Sequence, residues 1–239
     1  MDPDFSVIAP MFNEEGAAAE LVREIAAAFA GTAFEIIIVD DASRDGTRAA
    51  LLALKGELSM LSVVGHARNA GQSRALRSGV LAARGAIIVT LDGDGQNDPA
   101  DAPRLARRLA AAPASLGMIG GERVHRQDRL AKRWASRLAN AVRGWLLGDH
   151  AADAGCGLKA IRREVFLRLP FFDHQHRFLP ALVLREGYEV AYEPVGHRPR
   201  RTGTSKYTNL GRLWSSVWDI LGMLWLRARN RDPGAVERR

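Results

Sequence analysis

Acidic and amide side chains follow three apolar runs in the first 100 residues of this 239-residue chain. They lie at residues 10–15, 40–46 and 92–98, and each group begins where an apolar run ends. The third group contains Asp92 and Asp94, two carboxylates one residue apart that can share a hard divalent cation. Carboxylates brought together repel one another unless a cation lies between them. The pattern therefore predicts a divalent cation with a bound phosphate, although Asp, Asn and Gly are also typical of turns and helix caps.

The elements that must hold these groups alternate between strands and helices. Apolar runs predict strands at 5–9, 34–39, 60–64 and 86–91, and helical spacing predicts helices at 21–29, 46–55 and 72–84. Continuous apolar runs are typical of a parallel sheet that is covered on both faces. The repeated strand–helix–strand order predicts an open, mostly parallel α/β sheet. Such sheets bind ligands at the carboxyl ends of their strands, so we expect the three acidic groups to meet at one edge.

The second half of the chain is richer in basic residues and in long helical patterns. We predict helices at 129–147, 161–169 and 210–226, a strand at 188–195 and a loop at 197–207. The pattern at 210–226 carries Trp214, Trp218 and Trp225 among aliphatic residues. Such a helix is typical either of core packing or of a membrane surface, and the sequence leaves both interpretations open.

Composition and charge narrow the class of protein. Hydrophobic residues make up 47% of the chain, enough to build a core, and the single Cys156 excludes an internal disulfide. The net charge is +7, but residues 1–60 carry −7, so the remaining residues carry +14. This asymmetry predicts a nucleic acid, a phosphorylated substrate or an anionic membrane as partner, or else a solvated cationic surface. An acidic N-terminus, and no run of about 20 uncharged apolar residues, predict a cytoplasmic protein without a membrane span.

Other ways of binding a cation or a phosphate are disfavoured by spacing. An EF-hand counted from Asp92 would need Gly and Glu where the chain has Asn97 and Pro103. A P-loop and a dinucleotide-binding glycine motif are absent from the sequence, which removes the main support for an ATPase or a nicotinamide dehydrogenase. His174 and His176 lie two residues apart, but no third ligand is evident, so a structural or surface role is favoured for them.

Three stretches together resemble a known family. They are Ser6–Glu15, Ile38–Thr47 and Asp92–Pro99, and they look like family 2 glycosyltransferases of the GT-A fold. More narrowly, they are similar to the dolichyl- and polyprenyl-phosphate sugar synthases of the dolichol-phosphate mannosyltransferase type. Supporting matches lie at Arg68–Gly71, Gly121–Arg123, Ser136–Asn140, Asp153–Lys159 and Arg200–Tyr207. The resemblance covers about residues 5–226.

The resemblance implies an architecture for the whole chain. We expect a GT-A nucleotide-diphospho-sugar transferase fold, which is an α/β fold with a mostly parallel open sheet and helices on both faces. The GT-A domain would span residues 1–208, with a nucleotide-binding half at 1–120 and an acceptor-binding half at 121–208. An amphipathic helix would follow at 209–230 and a tail at 231–239.

The resemblance also implies roles for residues that match its motifs. The donor nucleoside would contact Pro10, Phe12, Glu14 and Asp41, with Phe12 in place of the tyrosine often found there. The Asp-x-Asp (DXD) pair Asp92 and Asp94 would face the donor diphosphate through Mg²⁺ or Mn²⁺, with Gln96 nearby. The acceptor phosphate or the donor diphosphate would be bound by Arg123, Arg133, Ser136, Arg200, Ser205 and Lys206. The expected catalytic residues are Asp94, Arg123, Arg133, Asp153, Arg200 and Lys206.

The implied activity is the inverting transfer of a sugar from a UDP- or GDP-sugar to undecaprenyl or dolichyl phosphate. A lipid phosphate is already an anion, so it needs little help from a general base, and arginines can bring the two anions together. One alternative is a family 2 transferase that acts on a saccharide hydroxyl, with Asp153 as the base. The basic net charge also suggests a nucleic-acid-binding protein. This alternative is more remote, because the acidic strand ends would repel a phosphate backbone.

The implied partners follow from the acceptor. A polyprenyl phosphate is a membrane lipid, so we expect the protein to associate peripherally with the cytoplasmic face of the membrane. We expect no nucleic acid partner. A membrane partner subunit and a homo-oligomer are both compatible with the sequence.

Overall fold

The computed structural model describes residues 2–124, 144–151, 153–199 and 209–230. Within them lie the strands β1 Phe5–Met11, β2 Phe34–Asp40, β3 Leu61–Gly65, β4 Ile87–Thr90, β5 Leu116–Arg123, β6 Lys159–Arg162 and β7 Glu189–Val195. These strands form one sheet in the order β3-β2-β1-β4-β6-β5-β7. Neighbouring strands are parallel except that β6 runs antiparallel to both β4 and β5. The mostly parallel open sheet is therefore present, with one reversed strand in its interior.

Helices cover both faces of the sheet. They are α1 Glu15–Ala28, α2 Thr47–Glu57, α3 Gln72–Ala82, α4 Ala102–Ala111, α5 Arg163–Arg168, α6 Leu179–Arg185 and α7 Asn209–Ala228. Short 3₁₀ helices lie at Pro99–Asp101 and Gln175–Arg177. On β2, Ile36 and Ile38 pack with α1, α2 and α4, whereas Ile37 and Val39 pack with α3, α5 and α6. Successive strand residues thus bury alternate sides, which explains why the apolar runs are continuous.

The strands predicted in the first half, the strand at 188–195 and the helices at 21–29, 46–55 and 72–84 are all present, with ends that differ by a few residues. Strand β5 and helices α4 and α6 lie where no element was predicted, and β6 partly overlaps a predicted helix. The helix predicted at 161–169 begins only at Arg163, because residues 159–162 pair with β4 and β5. The helix predicted at 129–147 lies mostly outside the described residues, and residues 144–147 are helical.

The direction of β6 determines which of its residues lie at the functional edge of the sheet, the edge at which the three acidic groups are expected to meet. The carboxyl ends of β1, β2, β3, β4, β5 and β7 lie at one edge, because these strands share one direction. Since β6 is antiparallel, its amino end lies at that same edge. Lys159 and the loop that precedes it therefore join the residues that follow the parallel strands.

Helix α7 is apolar on two faces. Met223 is fully buried, and Ile220 and Leu224 pack beside it against the core between α3, α5 and α6. The opposite side exposes Val217, Trp218, Leu221 and Trp225, which retain 46%, 60%, 51% and 61% of their surface. The core-packing interpretation therefore applies to one face of the helix, and the membrane-surface interpretation stays a prediction for the exposed face. None of the helices in the described ranges is both long and apolar enough to cross a membrane.

Candidate active site

The loop after β4 places the two DXD carboxylates at the functional edge. The backbone N–H of Asp92 donates to Asn97 Oδ1 at 3.0 Å, and that of Gln96 donates to Asp94 Oδ1 at 3.1 Å. The Asp92 carboxylate accepts a hydrogen bond from Gln72 Nε2 at 2.8 Å. Burial raises the pKa of Asp92, and the nearby Asp94 raises it further. Two carboxylates held together in this way would be stabilised by a cation.

The donor set fits a divalent cation that is bound together with a phosphate. Mg²⁺ is usually held by one or two carboxylates plus phosphate oxygens and water, rather than by a cage of protein ligands. Within the described ranges, no group of three or more His, Cys, Asp or Glu side chains forms such a cage. The backbone of Gly157 packs directly against Asp92, because a side chain at Gly157 would overlap its carboxylate. The two carboxylates would therefore share the cation with a bound diphosphate.

A buried lysine lies beside this acidic pair. Lys159 is at the amino end of β6, and its ammonium donates to the carbonyl oxygen of Cys156. Burial lowers the pKa of Lys159, whereas Asp92 and Asp153 act in the opposite direction. Cys156 itself is buried, and burial raises the pKa of its thiol, so it packs as a small neutral side chain.

Arg123 and Asp153 form a two-point ion pair at the end of β5. Arg123 Nε lies 2.5 Å from Asp153 Oδ2, and Nη2 lies 2.7 Å from Oδ1. Both side chains are largely buried, with 16% and 8% of their surface exposed. Burial alone would lower the pKa of Arg123, but Asp153 outweighs it and the pKa lies above its ordinary value. The pair holds the Arg123 guanidinium in one orientation, and a direct role of Asp153 in catalysis stays a prediction.

A cavity of about 420 Å³ opens between the loops that follow β1, β2 and β3. It is lined by Phe12, Asp40, Ala42, Ser43, Arg44, Arg48, His66, Ala67, Arg68 and Asn69. The loops after β1 and β2 are joined by Asn13, which accepts from Arg44 N at 2.7 Å and whose own N–H donates to Ser43 Oγ at 3.0 Å. The size and the mixed aromatic, polar and basic lining suit a nucleoside.

Two adjacent aspartates at the end of β2 have different surroundings. The Asp41 carboxylate accepts from the backbone N–H groups of Ala70 and Gly71 at 2.9 and 2.8 Å, and it lies 2.6 Å from His66 Nδ1. Asp40 Oδ1 accepts from Ser43 N at 3.0 Å, whereas its buried Oδ2 has no hydrogen-bond partner among the described residues. The contact between Asp41 and the nucleoside therefore stays a prediction, and Asp40 is a second candidate in the lining of the cavity.

The other expected nucleoside residues lie at the end of β1. Pro10 pairs in register with Val39, so it forms part of the sheet. The N–H of Glu14 donates to Thr47 Oγ1 at 2.9 Å, and its carbonyl oxygen accepts from the first turn of α1. Phe12 lines the cavity. The structure thus brings Phe12 and Glu14 to the loops that border the cavity, although their contacts with a donor stay predictions.

The segment after β7 is fixed to the DXD loop. Arg198 reaches Glu24 Oε2 and Asp98 Oδ1, each at 2.8 Å, and its backbone N–H donates to Gln96 O at 2.9 Å. The N–H of Gly196 donates to Asp101 Oδ2 at 2.8 Å. The basic loop that follows therefore begins beside Asp92 and Asp94.

Several expected site residues lie outside the described ranges. They are Arg133, Ser136, Arg200, Ser205 and Lys206. Their assignment to the acceptor phosphate stays a prediction. The described residues Asp92, Asp94, Gln96, Arg123 and Asp153 all lie at the carboxyl edge, as the positions of their loops imply.

Three residues at this edge were not predicted from the sequence. Lys159 lies in a stretch that matched the family, but its burial depends on the direction of β6. Gln72 follows Gly71 at the start of α3, and its link to Asp92 joins segments 20 residues apart. Arg198 lies in a run of basic residues, and the sequence does not indicate which residues it contacts. Each of these contacts depends on segments that are distant in sequence.

Comparison with known proteins identifies relatives of the whole chain. The family model described as Glycosyl transferase family 2 matches residues 6–169. Dodecaprenyl-phosphate galacturonate synthase of Rhizobium johnstonii is 33% identical over 237 residues, which cover 97% of this chain and 69% of that protein. Undecaprenyl-phosphate 4-deoxy-4-formamido-L-arabinose transferase of Pseudomonas aeruginosa is 36% identical over 220 residues, which cover 90% of this chain and 63% of that protein. The chain thus spans about two thirds of these relatives.

Solved structures share the fold at lower identity. Glucosyl-3-phosphoglycerate synthase from Mycobacterium tuberculosis, in complex with Mn²⁺, UDP and glucosyl-3-phosphoglycerate, has a TM-score of 0.68 and 21% identity. The match covers 97% of this chain and 82% of that chain. A mannosyltransferase from Pyrobaculum calidifontis, in complex with GDP-Man and Mn²⁺, has a TM-score of 0.68 and 20% identity, covering 98% of this chain and 66% of that chain. At this level of identity the likeness establishes the fold alone.

Proposed function

The chain belongs to glycosyl transferase family 2, and we propose that it transfers a sugar from a nucleotide-sugar donor to a polyprenyl phosphate, with inversion at the sugar. The observation that carries this proposal is the meeting of opposite charges at one edge of the sheet. Asp92 and Asp94 lie at the end of β4, and the cations Arg123 and Lys159 lie at the neighbouring ends of β5 and β6. Such a site can hold a metal-bound diphosphate on one side and an anionic acceptor on the other.

The donor would occupy the cavity and the DXD loop. Its nucleoside would lie against Phe12, with Asp40 Oδ2 free to accept a hydrogen bond from the base. Asp92 and Asp94 would hold Mg²⁺ or Mn²⁺, which when bound neutralises the diphosphate that leaves the sugar. Gln96 lies in the same loop and would border the diphosphate. UDP and GDP donors both fit this description.

The acceptor would approach from the side of the basic segments. A phosphate monoester is an anion at neutral pH, so it can attack the anomeric carbon directly, and a single displacement inverts that centre. Arg123 would offer a planar guanidinium to phosphate oxygens, which suits bidentate binding. The basic residues Arg133, Arg200 and Lys206, with Ser136 and Ser205, would complete the acceptor side of residues 121–208.

The Arg123–Asp153 pair favours a phosphate acceptor over a saccharide hydroxyl. A hydroxyl acceptor needs a carboxylate that is free to take its proton. Both carboxylate oxygens of Asp153 are hydrogen-bonded to Arg123, so acting as a base would require breaking a buried pair. A phosphate acceptor has no such requirement.

Incubation of the protein with polyprenyl phosphate, Mn²⁺ or Mg²⁺ and a panel of radiolabelled UDP- and GDP-sugars tests the proposal. We expect label to enter the organic phase with one donor, and EDTA to abolish the transfer. Transfer of label to a soluble saccharide instead would support the hydroxyl alternative. The proposal would be contradicted if the protein transferred no label and bound no nucleotide sugar from the panel.

We further propose that α7 binds the surface of the membrane that contains the acceptor. Its exposed face carries Trp218, Leu221 and Trp225, and Arg229 follows the helix. Tryptophan and arginine together are typical of helices that lie in the interface of an anionic bilayer. Trp145, which retains 82% of its surface, lies in the segment 144–147 that Arg227 contacts.

Replacing Trp218 and Trp225, which are exposed among the described side chains of α7, should weaken membrane binding. We expect Trp218→Ser with Trp225→Ser to reduce flotation with phosphatidylethanolamine–phosphatidylglycerol vesicles by about tenfold or more, because each buried indole contributes on the order of 1–3 kcal/mol. The matched control is Leu52→Ser with Leu81→Ser, which removes two exposed apolar residues from α2 and α3. Equal flotation of the tryptophan variant and the control would exclude α7 as the contact.

A further inference from the structure

The start of α3 is held by three contacts to three different parts of the molecule. Gly71, with φ of +85°, donates its N–H to Asp41 Oδ2 at 2.8 Å. The next residue, Gln72, donates from Nε2 to Asp92 Oδ1 at 2.8 Å. The third, Ser73, contacts His176 through its hydroxyl. Gln72 is therefore fixed by both of its neighbours in the chain, while its side chain reaches the DXD carboxylate.

The Ser73–His176 contact joins residues 103 positions apart. Ser73 Oγ accepts from the backbone N–H of His176 at 3.2 Å and lies 2.7 Å from His176 Nδ1. Since the hydroxyl has one hydrogen, donating it to Nδ1 satisfies both groups and leaves the ring proton on Nε2. Burial, together with Arg177, Lys159 and His174, lowers the pKa of His176 to about 3. The ring is therefore neutral at pH 7, and Nδ1 remains an acceptor.

The need for this support follows from the exposure of Gln72. An exposed hydrogen bond competes with water, and a long side chain loses rotamer freedom when it makes one. The hydrogen bond to Asp92 is therefore well populated only if the backbone of Gln72 is already held in position. Gly71 and Ser73 provide that placement from opposite sides, one through Asp41 and the other through His176.

The target of Gln72 is a carboxylate whose orientation matters. Gln72 holds Asp92 Oδ1, and Gly157 packs so closely against the carboxylate that a side chain there would overlap it, so the direction in which Asp92 can face a cation is restricted. Partners that orient a metal ligand typically change metal affinity by about 10–100-fold when they are removed.

We propose that Gln72 is a positioning residue for the divalent cation, and that the buried Ser73–His176 pair holds Gln72 in place. This inference rests on the proposed function, because it assumes that Asp92 and Asp94 bind the cation. Gln72 is linked to Asp92 and is not among the residues proposed to bind the acceptor, so its loss should weaken cation binding much more than it slows transfer at saturating cation. The effect of Ser73 should have the same direction and be smaller, since it acts through Gln72.

Binding of Mn²⁺, followed by electron paramagnetic resonance in the presence of saturating UDP, tests this without any sugar transfer. We expect Gln72→Leu to weaken Mn²⁺ binding by about tenfold or more and Ser73→Ala by about threefold. His176→Leu should behave like Ser73→Ala. His176→Asn should bind Mn²⁺ like the unsubstituted protein, because its side-chain oxygen can replace Nδ1 as the acceptor.

The matched control is Leu81→Ala on the same helix. It shortens a side chain that retains 59% of its surface and takes no part in the contacts of Gly71, Gln72 or Ser73. We expect its Mn²⁺ affinity to be unchanged, which separates a specific effect from a general loosening of α3. Transfer at saturating Mn²⁺ should stay within about threefold for Gln72→Leu.

The outcomes separate the inference from the function on which it rests. Equal or tighter Mn²⁺ binding by Gln72→Leu, while the unsubstituted protein binds Mn²⁺ with UDP, overturns the inference alone. A loss of Mn²⁺ affinity in Leu81→Ala equal to that in Ser73→Ala also overturns the role of the Ser73–His176 pair. Absence of Mn²⁺ binding by the unsubstituted protein overturns the metal-assisted function and this inference together.

Discussion

Replacing Asp94 by Asn should reduce transfer of sugar to polyprenyl phosphate by about a thousandfold, which corresponds to about 4 kcal/mol of transition-state stabilisation. The carboxylate is expected to share a cation with Asp92, and the amide carries no charge to hold it. Asn keeps a side-chain oxygen that can accept from Gln96 N, so the loop should remain folded. The measurement is the initial rate of labelled lipid formation at several Mn²⁺ concentrations, with the melting temperature followed alongside.

A charge-matched control accompanies the Asp94 variant. Glu57→Gln removes the same charge from an exposed ion pair with Arg23, 3.4 Å apart on the outer surface of α1 and α2. We expect its transfer rate to equal that of the unsubstituted protein. If Asp94→Asn retained metal-dependent transfer within tenfold of the parent, Asp94 would not be a ligand of the cation.

Replacing Asp153 by Ala should lower the free energy of unfolding by about 3–5 kcal/mol. The change leaves the buried Arg123 guanidinium without its two-point partner, and an uncompensated buried charge is costly. Replacing both residues, as Arg123→Met with Asp153→Leu, should recover much of that stability because no charge then remains buried. Chemical denaturation of the single and double variants measures these differences, and Glu57→Ala, at an exposed pair, should change stability by less than about 1 kcal/mol.

Single substitutions of the same two residues distinguish the two kinds of acceptor. If Asp153 orients Arg123, then Arg123→Met and Asp153→Asn should impair transfer to lipid phosphate to a similar extent. If Asp153 were the base for a saccharide hydroxyl, Asp153→Asn would abolish transfer, whereas Arg123→Met would leave much of it. Strong loss in the first variant and full activity in the second would be incompatible with an orienting role.

The fold of the first 100 residues could be predicted because its signals are local. β1 and β2 are continuous apolar runs, and each is followed by polar residues that mark where the strand ends. Their register is parallel and uninterrupted, so the positions of Phe12 and Asp41 followed from strand order alone. The GT-A fold and the membership of family 2 predicted from the three motifs are confirmed.

The rest of the sheet could not be predicted because its pairing is not local. β6 has only four residues and continues directly into α5, so its helical neighbours dominate the pattern. β5 contains three glycines in eight residues and becomes a strand by pairing with β6 and β7. The contacts of Gln72, Lys159 and Arg198 depend on this pairing or on other distant segments, and no spacing in the sequence marks them.

The two apolar faces of α7 have a consequence for handling the protein in solution. One face is already used by the core, so the exposed face with Trp218 and Trp225 is available for any apolar surface, including that of another copy. The net charge of +7 opposes such self-association through repulsion between copies. Added salt screens that repulsion, and a strongly excluded anion such as sulfate also strengthens apolar contacts. Colloidal stability without lipid should therefore be greatest in dilute buffer and poorest in the high-salt buffers commonly used for basic proteins.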